Sequence, residues 1–227
     1  MCVSAEASFG LTGVLIPVGI YCLKSAAQRD RRLLPISALP LLFGIQQFCE
    51  GVVWIGLGRG DVKLTRLAAL GFLFFALTFW LFWIPFSSVF LEPRRKFKLY
   101  LGLCALLGLA GGLILFVPIA LNSADLQITL DHHSIRYDYA DPPALALAPQ
   151  EFWHLLYVAV VAAPLFLSKN TTLLWFSTGL VVSAVISHVY FFYAFASIWC
   201  FFAALLSLYL CYLFHTWPQR QAGAVDA

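Results

Sequence analysis

Leu33 to Leu57 reads LLPISALPLLFGIQQFCEGVVWIGL, and this stretch decides the fold. At about 1.5 Å per residue, a helix of that length covers the roughly 30 Å hydrocarbon core of a bilayer. Gln46, Gln47 and Glu50 interrupt the apolar run, and Trp54 follows them. An ionisable side chain at the centre of a span costs about 2.5–3.5 kcal/mol on insertion scales, so its default reading is functional, with a partner. The spacings Gln46–Glu50 (i,i+4) and Gln47–Glu50–Trp54 (i,i+3,i+7) place these residues on one helical face. Whatever meets Glu50 must come from another span.

Working outward, the composition agrees with a membrane setting. The 227 residues are 62% hydrophobic and only 11% charged, with a mean hydropathy of +0.87. Soluble domains carry about 25% charged residues, so this is a multi-spanning membrane protein. The net charge of +3 is too small and too dispersed for a nucleic-acid partner. The opening MCVSAEASFG lacks the basic region of a cleaved signal peptide, so the first apolar run is expected to be retained. Six cysteines show neither CxxC nor other metal-knuckle spacing, and most lie inside apolar runs as small buried residues.

Apolar runs bounded by charge or turn residues predict an all-α integral membrane protein, a bundle of seven transmembrane helices in one domain. The expected spans are 8–24, 33–57, 67–90, 99–121, 150–168, 172–192 and 195–216. Basic residues gather between spans one and two (Lys24, Arg29, Arg31, Arg32) and between three and four (Arg94, Arg95, Lys96, Lys98). Lys169 lies between five and six, and Arg220 follows seven. The positive-inside rule sends these segments to the cytoplasm, which leaves the N-terminus outside and the C-terminus inside. The loop with Arg59, Asp61, Lys63 and Arg66 then falls outside against the rule, outvoted by the stronger basic loops.

The third span, rich in Phe and Trp on all sides, suggests contact with lipid, a partner subunit or an apolar cofactor. In the fourth, Gly108 and Gly112 form a small-xxx-small spacing that lets helices approach closely. The long segment 122–149 between helices four and five alternates apolar and polar residues on both sides of Asp131-His132-His133-Ser134. That period of two predicts an external β-hairpin with one apolar face, lying on the outer rim of the bundle.

With this topology the unusual polar residues fall together in the outer third. Glu50 sits below the outer end of span two, Glu151 and His154 open span five, and His188 with Ser187 closes span six. Ser197, Trp199 and Cys200 begin span seven. Glu50, His154 and His188 supply three N/O ligands from three helices with a fourth position left for water, the form of a catalytic zinc site. Glu151 and His133 are the candidate catalytic residues that would act on the bound water. Gln46, Gln47, Trp54, Ser187 and Cys200 are the supporting polar residues around that set. Two other readings stand beside the metal: a packing network or proton relay around Glu50, and a tetrapyrrole or other cofactor held by His154 or His188. No G-x-S-x-G, H-E-x-x-H, P-loop or dinucleotide motif occurs.

The opening MCVSAEASF, the LPISALPLLFGIQQFCEGVVW span and the FASIWCFFAALLS segment together resemble a family of uncharacterised bacterial multi-spanning membrane proteins. That family opens with a Met-Cys-x-Ser-Ala-x-Ala-Ser-Phe pattern and carries a Gln-Gln-x-x-Glu-Gly span. The resemblance covers essentially the whole chain and implies a seven-helix protein of the bacterial cytoplasmic membrane, without lending an activity. In architecture the chain is also similar to the seven-span zinc-dependent amidases that include alkaline ceramidases. Those enzymes pair histidines as His-x-x-x-His, which this sequence lacks.

These features frame two main functions. One is a zinc-dependent hydrolase of a lipid-like amide or ester in the outer leaflet. The other is a non-enzymatic accessory or cofactor-binding subunit of a membrane complex. In both, the lipid bilayer is a partner, joined by a lipid-like substrate or a membrane-protein partner. A proton-coupled transporter fits less well, because no internal repeat is visible and the inner half lacks polar residues.

Overall fold

The computed structural model describes residues 4–131, 134–139, 148–167 and 171–212. Local capping chemistry sets most helix ends. Ser4 accepts a hydrogen bond from the Ala7 amide and starts α1 (Ala5–Arg29). Asp30 stops it in an extended conformation and caps the short 3-10 turn Arg31–Leu33 through the Arg32 amide. The chain continues through α2 (Leu34–Ser37) into α3 (Leu39–Arg59), each with a proline in its first turn, where no amide donor is needed. Gly60, at φ +66°, ends α3 in the left-handed conformation that suits glycine.

Asp61 then caps α4 (Val62–Phe74), which passes through a π-helical turn, Phe75–Phe79, into α5 (Trp80–Leu91). After a short linker comes α6 (Arg95–Leu121). Two strands follow, β1 (Gln127–Asp131) and β2 (Ser134–Asp138). The last helices are α7 (Gln150–Phe166), α8 (Thr171–Tyr190) and α9 (Phe195–Ser207), with a 3-10 turn Phe192–Ala194 before α9.

Among the described residues, six helical runs are long and apolar enough to cross a membrane: Ala5–Arg29, Arg31–Arg59, Val62–Leu91, Arg95–Leu121, Thr171–Tyr190 and Phe192–Tyr212. They coincide with six of the seven expected spans. The remaining one, 150–168, corresponds to α7, an apolar helix of 17 residues that falls short of the other six.

The hairpin is present between α6 and α7, antiparallel, with Gln127 opposite Asp138 and Asp131 opposite Ser134. Its apolar face packs against the helices. Ile135 is fully buried and packs with Val53, Ala69, Phe72, Ile119 and Leu126. Tyr137 stacks on Phe72 at 5.2 Å and 11°. Leu130, beside the turn, is exposed despite belonging to the apolar alternation. His132 and His133 lie outside the described residues.

Within the aromatic run of the third expected span, Phe72 and Trp80 are buried while Phe74 and Phe90 stay exposed. Trp80 is 3% exposed and stacks on Phe43 of α3 at 4.0 Å. Trp83 donates to the Pro35 carbonyl at 3.0 Å. The linkers α1–α3 and α5–α6, the C-terminal end of α7 and the start of α8 meet at one end of the bundle, where they line a common cavity. The hairpin packs against the second half of α3, α4 and the C-terminal end of α6.

Candidate functional site

Helix α3 turns one polar face into the bundle: Gln46, Gln47 and Glu50 all have zero exposure. Glu50 is reached from α9, where Ser197 Oγ donates to its Oε1 at 2.5 Å. From its own helix Gln47 Nε2 donates to Oε2 at 3.1 Å. One turn earlier, Gln46 Oε1 accepts from Trp80 Nε1 of α5 at 2.9 Å. Cys200, three residues beyond Ser197, sits beside Gln46 and Glu50. The Ser197–Glu50 and Trp80–Gln46 hydrogen bonds therefore fasten α3 to α9 and α5.

The network is not complete. Gln46 Nε2 and Gln47 Oε1 are buried and find no hydrogen-bond partner among the described residues. Trp54 was expected to join Glu50 one turn away, yet its Nε1 is buried without a partner among those residues. Ser187 spends its hydroxyl on the Ser183 carbonyl of its own helix at 2.8 Å. Glu151 lies exposed in the first turn of α7, and His133 is outside the described residues.

The two histidines do meet. His154 Nδ1 and His188 Nδ1 stand 3.2 Å apart, so one donates and the other accepts. Their rings are perpendicular, and His154 stacks on Phe195 at 4.1 Å and 16°. Glu50 does not join them in a ligand set: among the described residues no three His, Cys, Asp or Glu side chains gather closely enough to hold a metal ion. The start of α9 explains the separation. Phe195 carries the histidine pair and Ser197 carries Glu50, and two helical residues are rotated by about 200°. The acid and the imidazoles thus approach α9 from different sides.

Two contributors were missed by sequence reasoning. Trp80 is one aromatic residue in a run of them, and nothing in the run marks it as the donor to Gln46. Tyr157 of α7 donates to the Ala76 carbonyl at 2.5 Å, within the π-helical turn Phe75–Phe79. Such turns disturb the regular backbone ladder and recur at functional sites. Tyr157→Phe is expected to lower stability by about 1 kcal/mol, the usual net worth of one hydrogen bond. Thermal unfolding in detergent checks it, and an unchanged midpoint would show that the contact contributes nothing.

Residues 1–226 match the profile of a family described as a family of unknown function (DUF6629). The chain belongs to that family. No curated protein and no solved structure matches it. Membership in DUF6629 thus agrees with the resemblance read from the opening and the Gln-Gln-x-x-Glu-Gly span, and it assigns no chemistry to Glu50 or to the histidine pair.

Proposed function

We propose that this DUF6629 member is a non-enzymatic, multi-pass protein of the bacterial cytoplasmic membrane, an accessory or assembly subunit in which Glu50 acts as a buried clasp between α3 and α9. One observation carries the reading. The Glu50 carboxyl is wholly buried and each of its oxygens accepts from a donor of the same chain. Neither the cavity at the basic end nor the small one beside Trp80 is lined by Glu50. A group closed in this way holds helices together, whereas catalysis needs a path for substrate.

The proposed topology has seven crossings, the N-terminus outside and the C-terminus inside. Counting α7 as a crossing is supported by its ends. Leu165 and Leu167 at its C-terminus line the cavity shared by the other basic linkers, while His154 near its start stacks on Phe195 at the start of α9. Its 17 residues reach the lower limit of about 17 for a spanning helix. The hairpin then lies on the outer side. A bilayer or a second membrane protein covers the outward face of α6, where Leu103, Leu106, Leu107, Ile114 and Val117 are exposed.

A zinc-dependent hydrolase of a lipid-like amide or ester is the second reading, favoured by the approach of His154 and His188. A catalytic zinc takes three protein ligands and a water, and Glu50 does not stand as the third. Elemental analysis with an absorption spectrum of the detergent-purified chain separates the readings. The clasp reading expects no stoichiometric zinc, even after zinc is re-added, and no visible band. One zinc per chain, lost in His154→Ala and His188→Ala, would transfer the assignment to the hydrolase. A visible band would move it to a cofactor-binding subunit.

A further inference from the structure

A second site, independent of the reading of Glu50, lies at the basic end of the bundle. The α1–α3 and α5–α6 linkers, the end of α7 and the start of α8 line a cavity of about 290 Å³, close to the lower end of the roughly 300–1,000 Å³ range of small-molecule sites. Its accessible apolar lining is Phe90, Leu91, Pro93 and Leu167, backed by the buried Leu33, Leu101, Leu165 and Leu173. Its rim carries Arg32 and Arg94.

Both arginines are held in place from one side. Asp30 grips Arg32 through Nε and Nη2, and Glu92 grips Arg94 through Nε at 2.7 Å and Nη2 at 3.0 Å. Arg94 also lies over the Phe97 ring at 4.0 Å. The two side chains remain 54% and 48% exposed, and Nη1 of each has no partner among the described residues. A guanidinium fixed by a carboxylate on one edge presents its other edge ready-aimed, with little rotamer entropy left to lose. The two linkers hold seven cations, from Arg29 to Lys98, against the two carboxylates Asp30 and Glu92. The surroundings therefore favour an anion although each pair is locally compensated.

An apolar floor below a rim of fixed guanidinium groups matches an amphiphile. We propose that this cavity binds a phosphate-bearing lipid, its phosphate between Arg32 and Arg94 and the upper part of a chain against Phe90, Leu91 and Leu167. A membrane phospholipid and a free phosphate ion share the headgroup chemistry, and only the lipid uses the floor.

The test is native mass spectrometry of the full chain released from detergent. The probes are dioleoyl phosphatidic acid, dioleoylglycerol with the same chains and no phosphate, and inorganic phosphate. Phosphatidic acid is expected to stay bound, with at least tenfold weaker retention of the other two. Arg32→Gln is expected to weaken retention about tenfold. Arg94→Gln alone would deprive the 6%-exposed Glu92 of its guanidinium, so Glu92→Gln/Arg94→Gln is the informative second variant, again with about tenfold loss. Leu91→Trp, at a half-buried floor position, is expected to displace the lipid with both arginines intact. Equal retention of dioleoylglycerol would overturn the phosphate contact, and equal binding of inorganic phosphate would overturn the lipid. Retention of phosphatidic acid unchanged in all three variants would place the lipid elsewhere on the protein.

Discussion

Glu50→Ala is expected to lower the unfolding midpoint of the detergent-solubilised protein sharply, while Glu50→Gln leaves it nearly unchanged. Alanine removes the acceptor of both Ser197 Oγ and Gln47 Nε2. Ser197 and Gln47 have zero exposure, so neither donor can turn to water. Breaking these buried hydrogen bonds costs about 1–3 kcal/mol, and the space left by the side chain adds a cavity cost. Hydrogen bonds between membrane helices average nearer 0.6 kcal/mol in double-mutant cycles, so a total loss of about 2–4 kcal/mol is expected. Glutamine keeps the volume and an acceptor for Ser197. Turning the Gln47 amide over then offers its oxygen, unpartnered among the described residues, to the new amide donor. A change within about 1 kcal/mol follows. A double-mutant cycle with Ser197→Ala should show the two positions coupled, as residues sharing one hydrogen bond do. Tryptophan fluorescence during thermal unfolding reads all five proteins. Glutamine as damaging as alanine would sink the clasp, because the charge and not the shape would then matter. A metal ligand or proton carrier at this position behaves differently again: glutamine would preserve the fold and abolish metal or proton binding.

Much of this arrangement was legible in the residues. The apolar runs and their basic punctuation located six long helices within a few residues of where they lie. The inward face of α3 was visible because Gln46, Gln47 and Glu50 share a helical spacing, and all three are buried. The hairpin followed from its period of two, since only a pleated strand turns Ile135 inward while Arg136 stays exposed. What Glu50 meets was not legible. The rarest polar residues, the histidines, were the natural partners to assign, yet the carboxylate is taken by Ser197, one serine among many. That outcome depends on the rotation of α9 between two residues, which no intrachain periodicity encodes. The proximity of His154 and His188 was expected from the ends of their helices, and the two rings are in contact. The basic-end cavity escaped notice because it is built from linkers distant in sequence, whose charges read only as topology signals.

Gly108→Val and Gly111→Ala should act in opposite directions, although the two glycines are three residues apart on α6. A Cβ at Gly108 would run into the Leu81 carbonyl oxygen of α5, with the carbonyl carbon at 2.8 Å. Backbone cannot step aside as a side-chain tip can, so α6 must move away from α5. One turn further on, Gly112 repeats the approach against Thr78 Cα at 2.6 Å and the Leu77 oxygen at 2.7 Å. The small-xxx-small spacing read from the sequence is therefore the seat of α5 on α6 and is used within the chain. Overpacking a close contact costs about 1–3 kcal/mol, occasionally more. Two clashing methyls against backbone place Gly108→Val at the upper end. Gly111 has nothing within 4 Å of its added Cβ, and alanine there gains about 0.5–1 kcal/mol of helix propensity. The measurement is the unfolding midpoint of each variant in the same detergent. The separation of α5 and α6 would also loosen the basic-end cavity, since Leu101 of α6 and Leu91 of α5 both line it. Gly108→Val should accordingly release bound phosphatidic acid while Gly111→Ala retains it. Equal midpoints for the two variants would mean that α5 and α6 do not pack through this pair of glycines.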